Sequence, residues 1–136
     1  MRLDVVVAEV LPHGIEAVWA ALTDRAAISR WLMQTSEFEP AVGTRFRMKT
    51  QHLAPDGWVR AEVVELDPPR RMVWAWAVDD TTPPTTVVFE LAPDGDGTRL
   101  TISHRGEIEP TVGALLRDGW PGRIDELRRI LERERA

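Results

Sequence analysis

Apolar residues recur along this chain with two different periods, and the switch between them divides it. Leu3 to Val10 is rich in Val and reads as a strand, which Pro12-His13-Gly14 breaks. Ile15, Val18, Trp19 and Leu22 then fall at i, i+3, i+4 and i+7, which predicts a helix over Ile15 to Leu22. Thr23-Asp24 ends it, and Asp24 suits the N-cap of a second short helix, Arg25 to Leu32. Its apolar side is Ala27, Ile28, Trp31 and Leu32. From Thr44 the period drops to two. Thr44 to Leu53 sets Phe46 and Met48 on one face, with Arg45, Arg47 and Lys49 on the other. Trp58 to Leu66, Arg71 to Val78, Thr85 to Leu91 and Arg99 to Arg105 continue the alternation. Turn sequences separate these strands: Pro55-Asp56-Gly57, Asp67-Pro68-Pro69-Arg70, a Pro-rich loop over 79–84, and Asp94-Gly95-Asp96-Gly97. The chain closes on a helical stripe of Leu116, Trp120, Ile124, Leu127 and Leu131. Asp125 and Arg129 are spaced for an i,i+4 pair on its wet side, and Pro121 either opens this helix or kinks it.

A run of hairpins followed by one amphipathic helix predicts an α+β two-layer domain with an antiparallel sheet. Arg45, Arg47, Lys49, Glu62, Glu90, Thr101 and Arg105 belong to its wet face. The other face gathers Phe46, Met48, Met72, Trp74, Trp76, Phe89, Ile102 and His104, and the helix turns Leu116, Trp120 and Ile124 toward it. These residues are the candidates for lining a ligand cavity. No repeat or linker interrupts the pattern, so residues 1–136 are expected to form a single domain.

Composition narrows the chemistry. The 136 residues carry 17 basic and 22 acidic side chains, a net charge of -5, which argues against a nucleic-acid partner. There are six Trp but no Tyr and no Cys, so disulfides, thiol nucleophiles and phenol acids are excluded. Trp19 and Trp31 read as core anchors of the short helices, and Trp58 opens a strand. Trp74, Trp76 and Trp120 either enclose a ligand or pack on one another. His13, His52 and His104 are scattered, without metal-ligand spacing, and no metal or cofactor is expected. His104, on the apolar face, is the one titratable candidate for acid–base work; its plainer reading is a hydrogen-bonded histidine at a strand end. Asp94-Gly95-Asp96-Gly97 is a turn and not a calcium loop, since the sixth and twelfth positions hold Arg99 and Arg105. No phosphate loop or nucleophile elbow occurs. Without a signal peptide or an integral membrane segment, a cytoplasmic protein is expected.

Several segments, in order, carry a family resemblance. They are Val18-Trp19-Ala20-Ala21-Leu22-Thr23-Asp24 with Trp31, Val42-Gly43 with Phe46, and Val64-Glu65-Leu66-Asp67-Pro68-Pro69-Arg70-Arg71 with Trp74-Ala75-Trp76. Val87-Val88-Phe89-Glu90-Leu91, Gly97-Thr98-Arg99-Leu100-Thr101 with His104, and Gly119-Trp120 follow. Together they resemble the START-like (SRPBCC) superfamily, and within it the activator of heat-shock-protein-90 ATPase homologue-like group. The resemblance implies a helix-grip fold: a curved antiparallel sheet of about six to seven strands wrapped on a long C-terminal helix, with two short helices after the first strand. It implies a cavity between sheet and helix that takes a small apolar or amphipathic molecule. It also brings two alternatives, a cyclase- or hydrolase-like enzyme acting on aromatic or polyketide intermediates, and a chaperone ATPase-activating module. Members with the last activity carry a further N-terminal domain. A monomer or a homodimer through the edge strand Leu3 to Val10 is compatible with the pattern.

Overall fold

Alternation builds the sheet. In chain order this computed structural model, which describes residues 1–135, has β1 (Arg2–Leu11), α1 (Ile15–Thr23), α2 (Arg25–Trp31), β2 (Thr35–Ser36) and β3 (Arg45–Lys49). β4 (Trp58–Asp67), β5 (Arg71–Ala77), β6 (Thr85–Asp94), β7 (Gly97–Glu107) and α3 (Pro110–Arg135) complete it. All neighbouring strands are antiparallel, in the order β1-β7-β6-β5-β4-β3-β2. This is the expected helix-grip architecture, a seven-stranded curved sheet with two short helices and one long C-terminal helix. The side chain of Arg135 and all of Ala136 lie outside the described residues.

Register lines the large side chains up in rows on one face. One row runs Val5, His104, Val87, Trp74, Val63 across five strands. The next runs Thr85, Trp76, Ala61, Phe46. All of these are buried. The outer face is stitched by exposed ion pairs: Arg45–Glu62 at 3.3 Å, Arg47–Glu37 at 2.9 Å, Arg71–Glu90 at 2.9 Å and Arg105–Asp4 at 2.8 Å. Such pairs each contribute about 0–1 kcal/mol, so the fold rests on the inner face.

The helices follow their signals. Asp24 caps α2, its carboxylate accepting the Ala27 N–H at 3.0 Å. Trp31 joins α2 to α1 by donating its indole N–H to the Ala21 carbonyl at 3.1 Å. α3 buries Leu116, Trp120, Ile124, Leu127, Ile130 and Leu131. It starts at Pro110 and continues through Pro121, which supplies no N–H to the Arg117 carbonyl. Burial of the apolar stripe outweighs that loss.

Four details depart from the expected pattern. The strand over Thr44 to Leu53 stops at Lys49, because Thr50 Oγ1 accepts the N–H groups of His52 and Leu53 and turns the chain. A bulge at Val64 leaves that side chain exposed within β4. The two-residue β2 pairs with β3 at the far edge. Asp125 pairs with Arg128 at 3.1 Å instead of Arg129, which takes Glu126. Among the described residues, no helix is long and apolar enough to cross a membrane.

Gly106 is required by close approach. Its φ is 144°, and a Cβ there would stand 2.8 Å from the Thr85 methyl and 3.1 Å from the Thr85 Cα. Gly106→Ala should therefore destabilise the fold by about 1–3 kcal/mol, read as a lowered urea midpoint at unchanged slope.

Candidate functional site

The inner face divides into two aromatic groups. Trp31, Phe38, Phe46, Trp74 and Phe89 pack edge to face, with centroid distances from 4.6 Å for Trp74–Phe89 to 6.5 Å for Trp31–Phe89. This group fills its own space. The second group is Trp76, His104 and Trp120, with Trp76–His104 at 5.0 Å, His104–Trp120 at 5.9 Å and Trp76–Trp120 at 6.1 Å. It joins sheet to α3.

A hydrogen-bonded chain runs through that second group. The Trp120 indole N–H donates to His104 Nδ1 at 3.2 Å. An indole can only donate, so Nδ1 must accept and the imidazole proton must sit on Nε2. Nε2–H then donates to Thr85 Oγ1 at 2.7 Å, and the Thr85 hydroxyl donates to the Trp76 carbonyl at 3.3 Å. Every member of the chain is satisfied. His104 is fully buried, and burial pushes its pKa down from 6.5 to about 4. Its neighbours on the adjoining strands and on α3, Val5, Val87, Thr85, Trp76 and Trp120, carry no charge to offset this. The geometry is that of a neutral imidazole with both ring nitrogens occupied, and it sits inside β7, which runs on to Glu107, not at a strand end.

Beside this chain lies a cavity of about 400 Å³. Leu32 and Met33 at the end of α2 form one wall. Residues Lys49 to Leu53, leading from β3 toward β4, form the second. Trp76 forms the floor, and Leu115, Leu116, Gly119, Trp120 and Arg123 of α3 form the last side. Of the candidates read from the sequence, Trp76, Leu116 and Trp120 reach this wall. Phe46, Met48, Met72, Trp74, Phe89, Ile102, His104 and Ile124 are buried in the packed core behind it. His52 is exposed and borders the cavity, while His13 is buried in its turn with Nε2 unpaired among the described residues. The indole N–H groups of Trp74 and Trp76 are likewise buried without an acceptor among the described residues.

The wall residues that the sequence pattern does not single out lie at the end of α2, on the flank of the α3 stripe and in the segment after β3. Gly119 lies three residues after Leu116, and Arg123 three after Trp120 and four after Gly119, so helical spacing carries both along the cavity side. Gly119 has a particular consequence: a Cβ built on it meets nothing within 4 Å. Part of the cavity is the side chain this position lacks. Among the described residues, no group of three or more His, Asp or Glu is placed to hold a metal ion.

The His104 chain makes stability depend on pH in a defined sense. The folded pKa lies below the unfolded one, so the unfolded state binds the proton first. The contribution is therefore complete above about pH 6.5 and is lost as pH falls toward about 4, to the extent of about 3 kcal/mol. Urea denaturation from about pH 7 to 4.5 should show this slope, and His104→Gln, less stable at neutral pH, should flatten it.

Residues 12–132 match the family described as "Activator of Hsp90 ATPase homolog 1-like protein". The crystal structure of protein MLL2253 from Mesorhizobium loti is 30% identical, with a TM-score of 0.82 over 96% of this chain and 97% of that one. DynU16, whose description places it in the dynemicin biosynthetic locus, is 25% identical with a TM-score of 0.79; the likeness spans 95% of this chain and 47% of DynU16. The Aha1 dimer from Colwellia psychrerythraea, at 20% identity, shares the fold with a TM-score of 0.80 over 96% of both chains. No curated protein matches. With its helix-grip fold and a match running from residue 12 to residue 132, this chain belongs to the activator of Hsp90 ATPase homolog 1-like family.

Proposed function

We propose that this protein binds a small apolar or amphipathic molecule in the cavity between α2, the β3–β4 connection and α3, acting as one cytoplasmic domain. The observation that carries the reading is the cavity itself. At about 400 Å³ it falls in the range of about 300–1,000 Å³ that drug-sized ligands occupy. The side chains of Leu32, Met33, Leu53, Leu115 and Leu116, with the edges of two nearly buried indoles, make it mostly apolar, while Phe46, Trp74 and Phe89 pack on one another in the core. Affinity would come from burial, at about 25 cal/mol per Å² before ordering losses.

The ligand-binding set narrows accordingly to Trp76, Leu116 and Trp120 from the original candidates, joined by Leu32, Gly119 and Arg123. The core candidates Phe46, Met48, Met72, Trp74, Phe89, Ile102 and Ile124 support the floor from behind. The likeness to DynU16, a protein of a biosynthetic locus, agrees with small-molecule binding. A catalytic role for His104 has less support, because both its nitrogens are engaged and it stands behind the cavity wall.

Gly119→Phe tests the reading. The new ring enters open space on a helix, so the variant should melt at or above the temperature of the parent, with up to about 1 kcal/mol gained from replacing a helical glycine. It should lose both the molecule carried through purification, seen by native mass spectrometry, and the thermal shift given by a panel of lipids and aromatics. Binding that survives in Gly119→Phe would remove the cavity as the site.

A further inference from the structure

Building on the binding reading above, we infer that the ligand of this cavity is an amphipathic anion: an apolar body bearing a carboxylate that pairs with Arg123. The cavity wall contains Lys49, His52 and Arg123 and no Asp or Glu, in a chain whose net charge is -5. Positive charge is thus concentrated where the rest of the molecule is negative. Arg123 is the cation that α3 contributes. It follows Trp120 by three residues and Gly119 by four, so it shares their face of α3 and stands at the exposed edge of the cavity.

The carboxylates that could neutralise it along α3 are taken. Asp118 binds Arg117 at 3.1 Å, Asp125 binds Arg128 at 3.1 Å, and Glu126 binds Arg129. Arg123 itself has no ion pair and no side-chain hydrogen bond among the described residues. A guanidinium left free beside two indoles presents a planar fork that fits a carboxylate in bidentate fashion. Lys49 is a weaker candidate, because its register partner is Trp58, which packs under the Arg47 guanidinium on the outer face.

A matched pair of probes separates charge from shape: 2-naphthoate and the neutral 2-naphthamide, titrated by calorimetry into the parent, Arg123→Gln and Gly119→Phe. Naphthoate should bind the parent at least about tenfold more tightly than naphthamide, and added salt should narrow the gap. Arg123→Gln, at an exposed position, should melt like the parent, weaken naphthoate about tenfold and weaken naphthamide by no more than about threefold, so that the gap between the two probes closes. Equal affinity for the two probes in the parent, with Gly119→Phe abolishing both, would overturn the anion and leave the cavity reading standing. Binding of neither probe to the parent would overturn this ligand class. Binding of both to Gly119→Phe would remove the cavity reading as well.

Discussion

A single helix has to cover the inner face of a seven-stranded sheet, and much of this molecule follows from how it does so. α3 brings one stripe, Leu116 through Leu131, and a stripe is narrower than the face it meets. The uncovered part is closed by other means. α2 contributes Trp31 and the segment after β2 contributes Phe38, which lock into Phe46, Trp74 and Phe89. Where coverage passes from α3 to α2 and the turn after β3, the seam stays open as the cavity. The site is thus a consequence of cover geometry.

The seam needs a fixed point, because α3 is locally weak there. Gly119, Pro121 and Gly122 sit within four residues of one another, and none favours a helix interior. The chain from Trp120 through His104 and Thr85 to the Trp76 carbonyl fastens that stretch to three strands, β7, β6 and β5. Gly106 belongs to the same arrangement, since its missing side chain is what lets Thr85 stand where His104 meets it. A polar chain that is fully satisfied in a dry interior confers a unique geometry, and a half-satisfied one would be costly.

The fold was legible because burial repeats with a period. Phe46 alternates with Arg45 and Arg47, Trp74 and Trp76 alternate with the small Ala75 and Ala77, Asp24 precedes a helical face, and Asp94 to Gly97 has turn chemistry; each is where its local signal places it. The cavity was less legible, because being inward and being beside empty space look the same in a periodic pattern. Trp74 and Trp76 share a strand face, yet only Trp76 meets the cavity. The turn at Thr50 depends on a side-chain oxygen competing with the ladder, which alternation does not register, and it brings Gln51 and His52 to the cavity. The choice of Arg128 by Asp125 was decided by neighbours: Arg128 also reaches Glu9 of β1 at 2.7 Å, so it is drawn toward the sheet while Arg129 is not.

The pairing of Trp76 and Trp120 around His104 has an optical consequence. With six indoles and no phenol in the chain, near-ultraviolet emission comes from tryptophan alone. Only Trp76 and Trp120 border the cavity, and the same two flank the imidazole. An occupant of the cavity and a proton on His104 would therefore speak through one pair of chromophores, while Trp31 and Trp74 remain constant deep in the core. Read above the titration range of the histidine, that pair becomes a built-in reporter of occupancy; read in acid with the cavity blocked, it becomes a reporter of the proton.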